Sequence, residues 1–163
     1  MSEILNVGCG TKPSGDVNVD LYIEPTFYRS GKTKLNIMNY RNFHQADAAK
    51  LPFEDKSFDV VYSSHLLEHV ENPAAVLREF VRVAKKQIII IVPHMYSTAA
   101  KGRHYKECMR NGGYNHFFRA RYFYKFFEEY GKNIYVTYKP FPHSLLPIIM
   151  LPYEIVVTVF LNH

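Results

Sequence analysis

The sequence predicts an α/β protein built on a mostly parallel sheet, and three observations carry that expectation. The apolar run Ile4-Leu5-Asn6-Val7 stops at Gly8-Cys9-Gly10, the pattern of a buried strand entering a glycine turn. Five consecutive β-branched residues, Ile88-Ile89-Ile90-Ile91-Val92, suit a strand of a parallel sheet covered on both faces. Stretches with apolar residues at helical spacing lie between and after these runs, so strands alternate with helices, and no internal repeat breaks the series.

The remaining elements follow in order. Asp16 to Leu21 alternates apolar and polar residues and reads as a second strand. Residues 22 to 45 are mixed, polar and aromatic, and carry no clear element. A short strand is expected around Ala46-Asp47, then Leu51-Pro52-Phe53 and the turn-like Glu54-Asp55-Lys56-Ser57. Phe58 to Tyr62 reads as a central strand. Asn72-Pro73 marks a helix start, because Asn caps and Pro fits the first helical position. Val76, Leu77, Phe80, Val81 and Ala84 then fall on one face, which should pack on the sheet. Residues 119 to 130 repeat the helical signal through Tyr122, Phe123, Phe126, Phe127 and Tyr130, with Gly131 as the stop. Ile134 to Tyr138 and Ile155 to Leu161 complete the strands.

At 163 residues the chain has room for one domain, 1–163, with one substantial core. The formal charge of +5 favours anionic partners, but the basic residues are scattered and Lys85-Lys86 is the one adjacent pair. The charge therefore reads mainly as solubility and substrate steering. Cys9 and Cys108 are too few for a disulfide framework and lack zinc-ribbon spacing. The opening residues show no basic stretch followed by an apolar one, so no secretory signal is expected and a cytoplasmic location is the default. Leu145 to Leu161 is largely apolar, but Pro147 and Pro152 divide it, and its uninterrupted part falls short of the roughly 20 residues a spanning helix needs. Segment 141–152 is a candidate for peripheral membrane contact, a lipidic acceptor or a homodimer interface, beside the plainer reading of a loop packed on the core.

Three points along the chain carry the chemistry. Glycines at Gly8 and Gly10, at the carboxyl end of a first strand, let the backbone approach a ligand where a Cβ would intervene; alone, they read equally as a tight turn. Asp20 ends the next strand, where a carboxylate accepts both hydroxyls of a ribose, although a strand-terminal Asp also simply makes turns. Asp47, in Ala46-Asp47-Ala48, is placed to accept from an adenine amino group. These acidic positions suit a cationic sulfonium cofactor better than an anionic dinucleotide.

Asn6-Val7-Gly8-Cys9-Gly10, Val17-Asn18-Val19-Asp20, Leu51-Pro52-Phe53-Glu54-Asp55-Lys56-Ser57-Phe58-Asp59-Val60-Val61 and Ser64-His65-Leu66-Leu67-Glu68-His69-Val70, in this order, resemble the class I S-adenosylmethionine-dependent methyltransferases. Within them, the chain is similar to the group containing quinone-biosynthesis-like and other small-molecule enzymes. The resemblance runs from about residue 4 to Pro93 and resumes weakly at His116-Phe117-Phe118. It implies a Rossmann-like three-layer fold with a seven-stranded, mostly parallel sheet whose last strand is antiparallel. It also implies S-adenosyl-L-methionine as cofactor and a small-molecule methyl acceptor. Carried over by position, Gly8, Cys9 and Gly10 would wrap the methionine part, Asp20 would hold the ribose and Leu21 would lie against the adenine. Asp47 and Ala48 would meet the adenine edge, and Ser63, Ser64 and His65 would line the cofactor near the methyl.

The chain departs from the family pattern in three places. Asn6 stands where an acidic residue is usual and would bind the cofactor's amino group through its carbonyl. Lys12 replaces a common glycine. Only seven residues separate Gly10 from Asn18, too few for a normal crossover helix, so a turn should replace the first helix. No N-terminal covering helix of the kind many relatives carry is expected before the first strand, so residues 22 to 44, 95–115 or a second subunit should close the site.

Rival readings are thinner. His65-Leu66-Leu67-Glu68-His69 fits the His-x-x-Glu-His pattern of some zinc hydrolases, but the family motif already accounts for it and no metal site is expected. Ser30-Gly31-Lys32-Thr33 mimics a phosphate loop, yet Thr26 stands where its first glycine should be. A nicotinamide enzyme needs its ribose acid about 20 residues past the glycines, farther than Asp20 lies. A non-catalytic cofactor-binding module and a nucleic-acid methyltransferase are the main alternatives, although no Asn-Pro-Pro-Tyr-type or Pro-Cys motif is present. If the acceptor requires a base, His65, His69 and His116 are the candidates, with His94 a fourth and Tyr96, Tyr105 and Tyr114 as pocket walls.

Overall fold

The computed structural model describes residues 3–25, 34–94, 116–130, 133–140 and 152–161. Seven strands, β1 (Ile4–Val7), β2 (Val17–Asp20), β3 (Phe43–Gln45), β4 (Phe58–Ser64), β5 (Ala84–Pro93), β6 (Asn133–Pro140) and β7 (Pro152–Phe160), form one sheet in the order β3-β2-β1-β4-β5-β7-β6. The first five run parallel, and β7 inserts antiparallel between β5 and β6. Strand order reverses between β1 and β4, which opens a crevice at their carboxyl ends, where ligands of such sheets bind. The expected α/β, Rossmann-like sheet with its antiparallel strand is therefore present.

Two α-helices, α1 (Pro73–Val83) and α2 (Ala120–Glu128), lie among the described residues. Helix α1 starts as the sequence predicts: the Asn72 side chain accepts the Ala75 N–H at 3.1 Å, with Pro73 in the first turn. Val76, Leu77 and Phe80 are buried against the sheet, each contributing about 1.5–3 kcal/mol of transfer free energy. Ala84, expected on the helix face, instead opens β5, because the chain passes from helix to extended backbone at that residue. From α2, Phe123 and Phe127 enter the same core as Ile88, Ile90, Val157 and Val159.

One further boundary differs from the sequence reading. β3 is Phe43–Gln45 and stops before Ala46-Asp47, because the Asp47 carboxylate takes the Ala49 N–H at 2.8 Å and its carbonyl takes that of Lys50, forming a turn. Residues 65–71 form turns, so the His65–His69 motif is not on a helix. Segments 95–115 and 141–151, expected as a lid and as an apolar loop, lie outside the described residues, as do Ser30 to Thr33.

No helix joins β1 to β2; Gly8 to Asp16 form a loop instead. Two buried amides hold it. Asn6 Nδ2 donates to the Lys12 carbonyl and the Ser14 hydroxyl, both at 3.0 Å. Asn18 Nδ2 donates to the carbonyls of Gly15 and Arg41, both at 2.9 Å, and its Oδ1 accepts the Gly15 N–H. Asp16 ties the loop to the start of β1, its carboxylate accepting the Ile4 N–H and its own N–H reaching the Ile4 carbonyl. Gly15 passes so close to β1 that a Cβ would sit 2.8 Å from the Asn6 nitrogen and 2.5 Å from the Val17 carbonyl oxygen. Gly15→Ala should therefore destabilise the protein by about 2 kcal/mol, as overpacking of a filled space does, measured by urea unfolding.

Candidate cofactor and acceptor cleft

The carboxyl ends of β1, β2 and β4 open into a cleft of about 640 Å³, within the range of small-molecule sites. Its floor is the turn after β1. Gly8 has φ +72° and Gly10 φ +50°, left-handed values that favour glycine. The Gly8 and Cys9 N–H groups donate to the Val19 carbonyl, folding the turn across the end of β2. A Cβ on Gly8 would meet Leu66 at 3.0 Å, whereas one on Gly10 would project into open space.

Asp20 locks this turn from β2. One carboxylate oxygen accepts the Gly10 N–H at 2.8 Å and the other the Tyr22 N–H at 3.0 Å. The Tyr40 hydroxyl donates to the Gly10 carbonyl at 2.7 Å, a contact across thirty residues that the sequence does not announce. The wall beyond β3 carries Asp47 and Ala48. Its loop is anchored to α1 by Arg82, which donates to the Leu51 and Phe53 carbonyls, while Glu79 accepts the Leu51 N–H and pairs with Arg82. The Arg82 guanidinium beside Glu79 holds that carboxyl below its usual range.

The residues singled out from the sequence divide as follows. Asn6, Gly8, Cys9, Gly10, Asp20, Leu21, Asp47, Ala48, Ser64, His65 and His69 line the cleft. Ser63 does not: strand alternation puts Tyr62 and Ser64 on the cleft side and Ser63 at 1 % exposure on the other. Asn6 reaches the cleft, but its amide nitrogen is committed to the β1–β2 loop. His116 lies outside the lining, with Nε2 at 3.2 Å from the Glu71 carbonyl. His94 is also outside it, and burial together with the Arg119 charge holds its imidazole below the usual range.

His65 behaves differently from a general base. It directly follows β4 with φ +56°, anchored by its N–H to the Ile91 carbonyl. Its Nδ1 lies 3.2 Å from Glu68 Oε1 and its Nε2 lies 3.0 Å from Glu154 Oε1. Burial disfavours the charged ring, but the hydrogen bonds to Glu154 and Glu68 outweigh it and raise the pKa to about 9. The ring is thus an imidazolium at neutral pH with both N–H groups engaged. Glu154, held below its usual range chiefly by His65, also meets Lys139 Nζ at 3.6 Å. Neither Glu154 nor Tyr40 was singled out from the sequence as a site residue; a lone acid in the apolar run before Ile155 was the only signal for the former.

Among the described residues no group of three His, Cys, Asp or Glu side chains is arranged to hold a metal ion. Glu68 lies between the two histidines of the zinc-like motif, with His69 Nε2 at 3.9 Å. The cleft does fit S-adenosylmethionine: a glycine turn leaves space where the Gly10 Cβ would project, and a carboxylate faces it from the next strand. Because the folded pKa of His65 is raised above about 6.5, its pairing stabilises fully below that pH and is lost as pH rises through about 9. The melting-temperature advantage of the wild type over His65→Gln should shrink between pH 7 and 10, and NMR should show this ring titrating near 9.

A family model for the methyltransferase domain matches residues 5–92, more than half of the chain. Ajmaline N-methyltransferase of Rauvolfia serpentina is 39% identical over 56 residues, 34% of this chain and 19% of that protein. Demethylmenaquinone methyltransferase of Streptomyces griseus is 31% identical over 87 residues, 51% of this chain and 38% of that protein. The chain thus spans well under half the length of these curated relatives. A crystal structure of an S-adenosylmethionine-dependent methyltransferase from Thermotoga maritima superposes with a TM-score of 0.72 at 20% identity, covering 99% of this chain and 83% of that one. The matched span holds the glycine turn, Asp20, Asp47 and the end of β4, and the chain belongs to the class I S-adenosylmethionine-dependent methyltransferase family.

Proposed function

We propose that this chain, acting as one methyltransferase domain in the cytoplasm, transfers the methyl group of S-adenosylmethionine to a small-molecule acceptor. The observation that carries the reading is the pairing of the left-handed glycine turn with Asp20 across the switch-point cleft. The small-molecule class rests on the relatives, whose names specify ajmaline and demethylmenaquinone. When bound, the cofactor supplies a methyl made electrophilic by its positive sulfur.

The chain's own residues then bind and orient. Gly8 and Gly10 admit the ligand to the backbone, and Asp20, whose carboxylate offers about four lone-pair sites, serves ribose hydroxyls as well as the turn. Asp47 and Ala48 bound the adenine end. Tyr62, Ser64, Leu66 and His69 enclose the other end, where holding the acceptor in line and excluding water contribute most to the rate. His65 fixes the end of β4 as a cation, and His69 is the other histidine of the cleft lining.

Calorimetric titration with S-adenosylhomocysteine tests the reading. Wild type should bind in the micromolar range, and Asp20→Ala should weaken binding about ten- to a hundredfold, the worth of a hydrogen bond to a charged group. Equal affinity in the mutant, or no binding to folded wild type, would overturn it.

A further inference from the structure

We infer that Glu68 forms the floor of an acceptor subsite that takes a neutral hydroxyl group carried on an apolar, ring-sized body. The inference rests on the methyl-transfer reading and names its substrate class. Glu68 is 1 % exposed, yet it borders the cleft. Its Oε1 faces His65 Nδ1 at 3.2 Å, and its buried Oε2 has no hydrogen-bond partner. Buried acceptors are almost always paired, and leaving one unmade costs about 1–3 kcal/mol, more for a charged group. Oε2 is buried beneath the wall that Glu68 gives the cleft, so the donor that completes it is one that a bound ligand brings as it settles there.

The charges around it select the donor. The His65 imidazolium already compensates Glu68, and Glu154 is matched by His65 and by Lys139 Nζ at 3.6 Å. An ammonium donor would add a positive charge with no partner, next to a cofactor that is itself cationic. A carboxylate bonded to an ammonium would also hold it in its protonated, non-nucleophilic form. A hydroxyl donor brings no charge and keeps its oxygen lone pairs available. The nearby lining, Tyr62, Leu66, His69 and Val70, offers aromatic and apolar walls for the body that carries it.

The test uses 2-naphthol and its O-methyl ether, 2-methoxynaphthalene, which differ only in the donor. Both are titrated by fluorescence into the full chain, with and without S-adenosylhomocysteine, in buffer containing EDTA. Wild type should prefer 2-naphthol by about tenfold or more, the scale of a charge-assisted hydrogen bond. Glu68→Met and Glu68→Gln should each reduce that preference to within about threefold while S-adenosylhomocysteine affinity stays unchanged. Glu154→Gln, which loosens His65 but leaves Glu68 Oε2 in place, should keep the preference and so separates the subsite from a general loss of folding. Absence of the preference in wild type, or its survival in both Glu68 variants, would overturn the subsite. Loss of S-adenosylhomocysteine binding in the Glu68 variants with Glu154→Gln unaffected would also overturn it, by placing the carboxylate on the cofactor. Failure of wild type to bind S-adenosylhomocysteine while the preference persists would instead sink the methyl-transfer reading and leave the subsite standing.

Discussion

The cleft depends on how a parallel strand pair is closed without a crossover helix. Parallel neighbours ordinarily need a connection of a dozen or more residues, usually helical, to return the chain to the same edge. Here Gly8 to Asp16 make the return, and the buried amides of Asn6 and Asn18 replace the missing helix by satisfying the loop's backbone groups from within the sheet. Burying two amides without partners would be costly, so the loop and the amides are mutually obligatory. Gly15 is the steric condition of the arrangement, and the left-handed turn at Gly8 and Gly10 is its functional result. The asparagine at position 6, a departure from the family's usual acid, is explained by this structural duty.

The same economy of elements governs the other walls. Loop 46–55 stays at the cleft because Arg82 and Glu79 reach across from α1 and satisfy its backbone at Leu51 and Phe53. At the far end, His65 joins the turn after β4 to β7 through Glu154, so the reversed strand contributes to the site as well as to the sheet. Each wall is thus held by a polar side chain on an element that the core has already fixed.

Much of this was legible in the sequence, for physical reasons. The Ile88–Val92 run, the Asn72-Pro73 cap and the aromatic periodicity of α2 are local signals, and local signals set strands, caps and amphipathic faces. The glycine turn, Asp20 and Asp47 stood out because glycines and carboxylates beside short apolar strands are local patterns. The third strand was misplaced by a few residues because an Asp turn and a short strand share the same composition around Ala46. Ser63 was assigned to the cleft because a motif names neighbours together, whereas strand alternation sends them to opposite faces. The contact of Tyr40 with Gly10 and the capture of His65 by Glu154 join residues far apart in the chain, and no periodicity encodes them. His65 shows the consequence: as a residue type it suggests a base, and its two carboxylate partners make it a fixed cation.

The carboxyl-end turns of β1, β2 and β3, together with the turn after β4, are proposed to form one ligand surface. Amide hydrogen exchange with and without S-adenosylhomocysteine tests it most directly, because each of these segments reports separately. Added protection is expected only at residues 8–12, 20–22, 46–50 and 64–70, with β6 and β7 unchanged. Protection centred on β6 and β7, or no change at the glycine turn at a saturating ligand concentration, would contradict it.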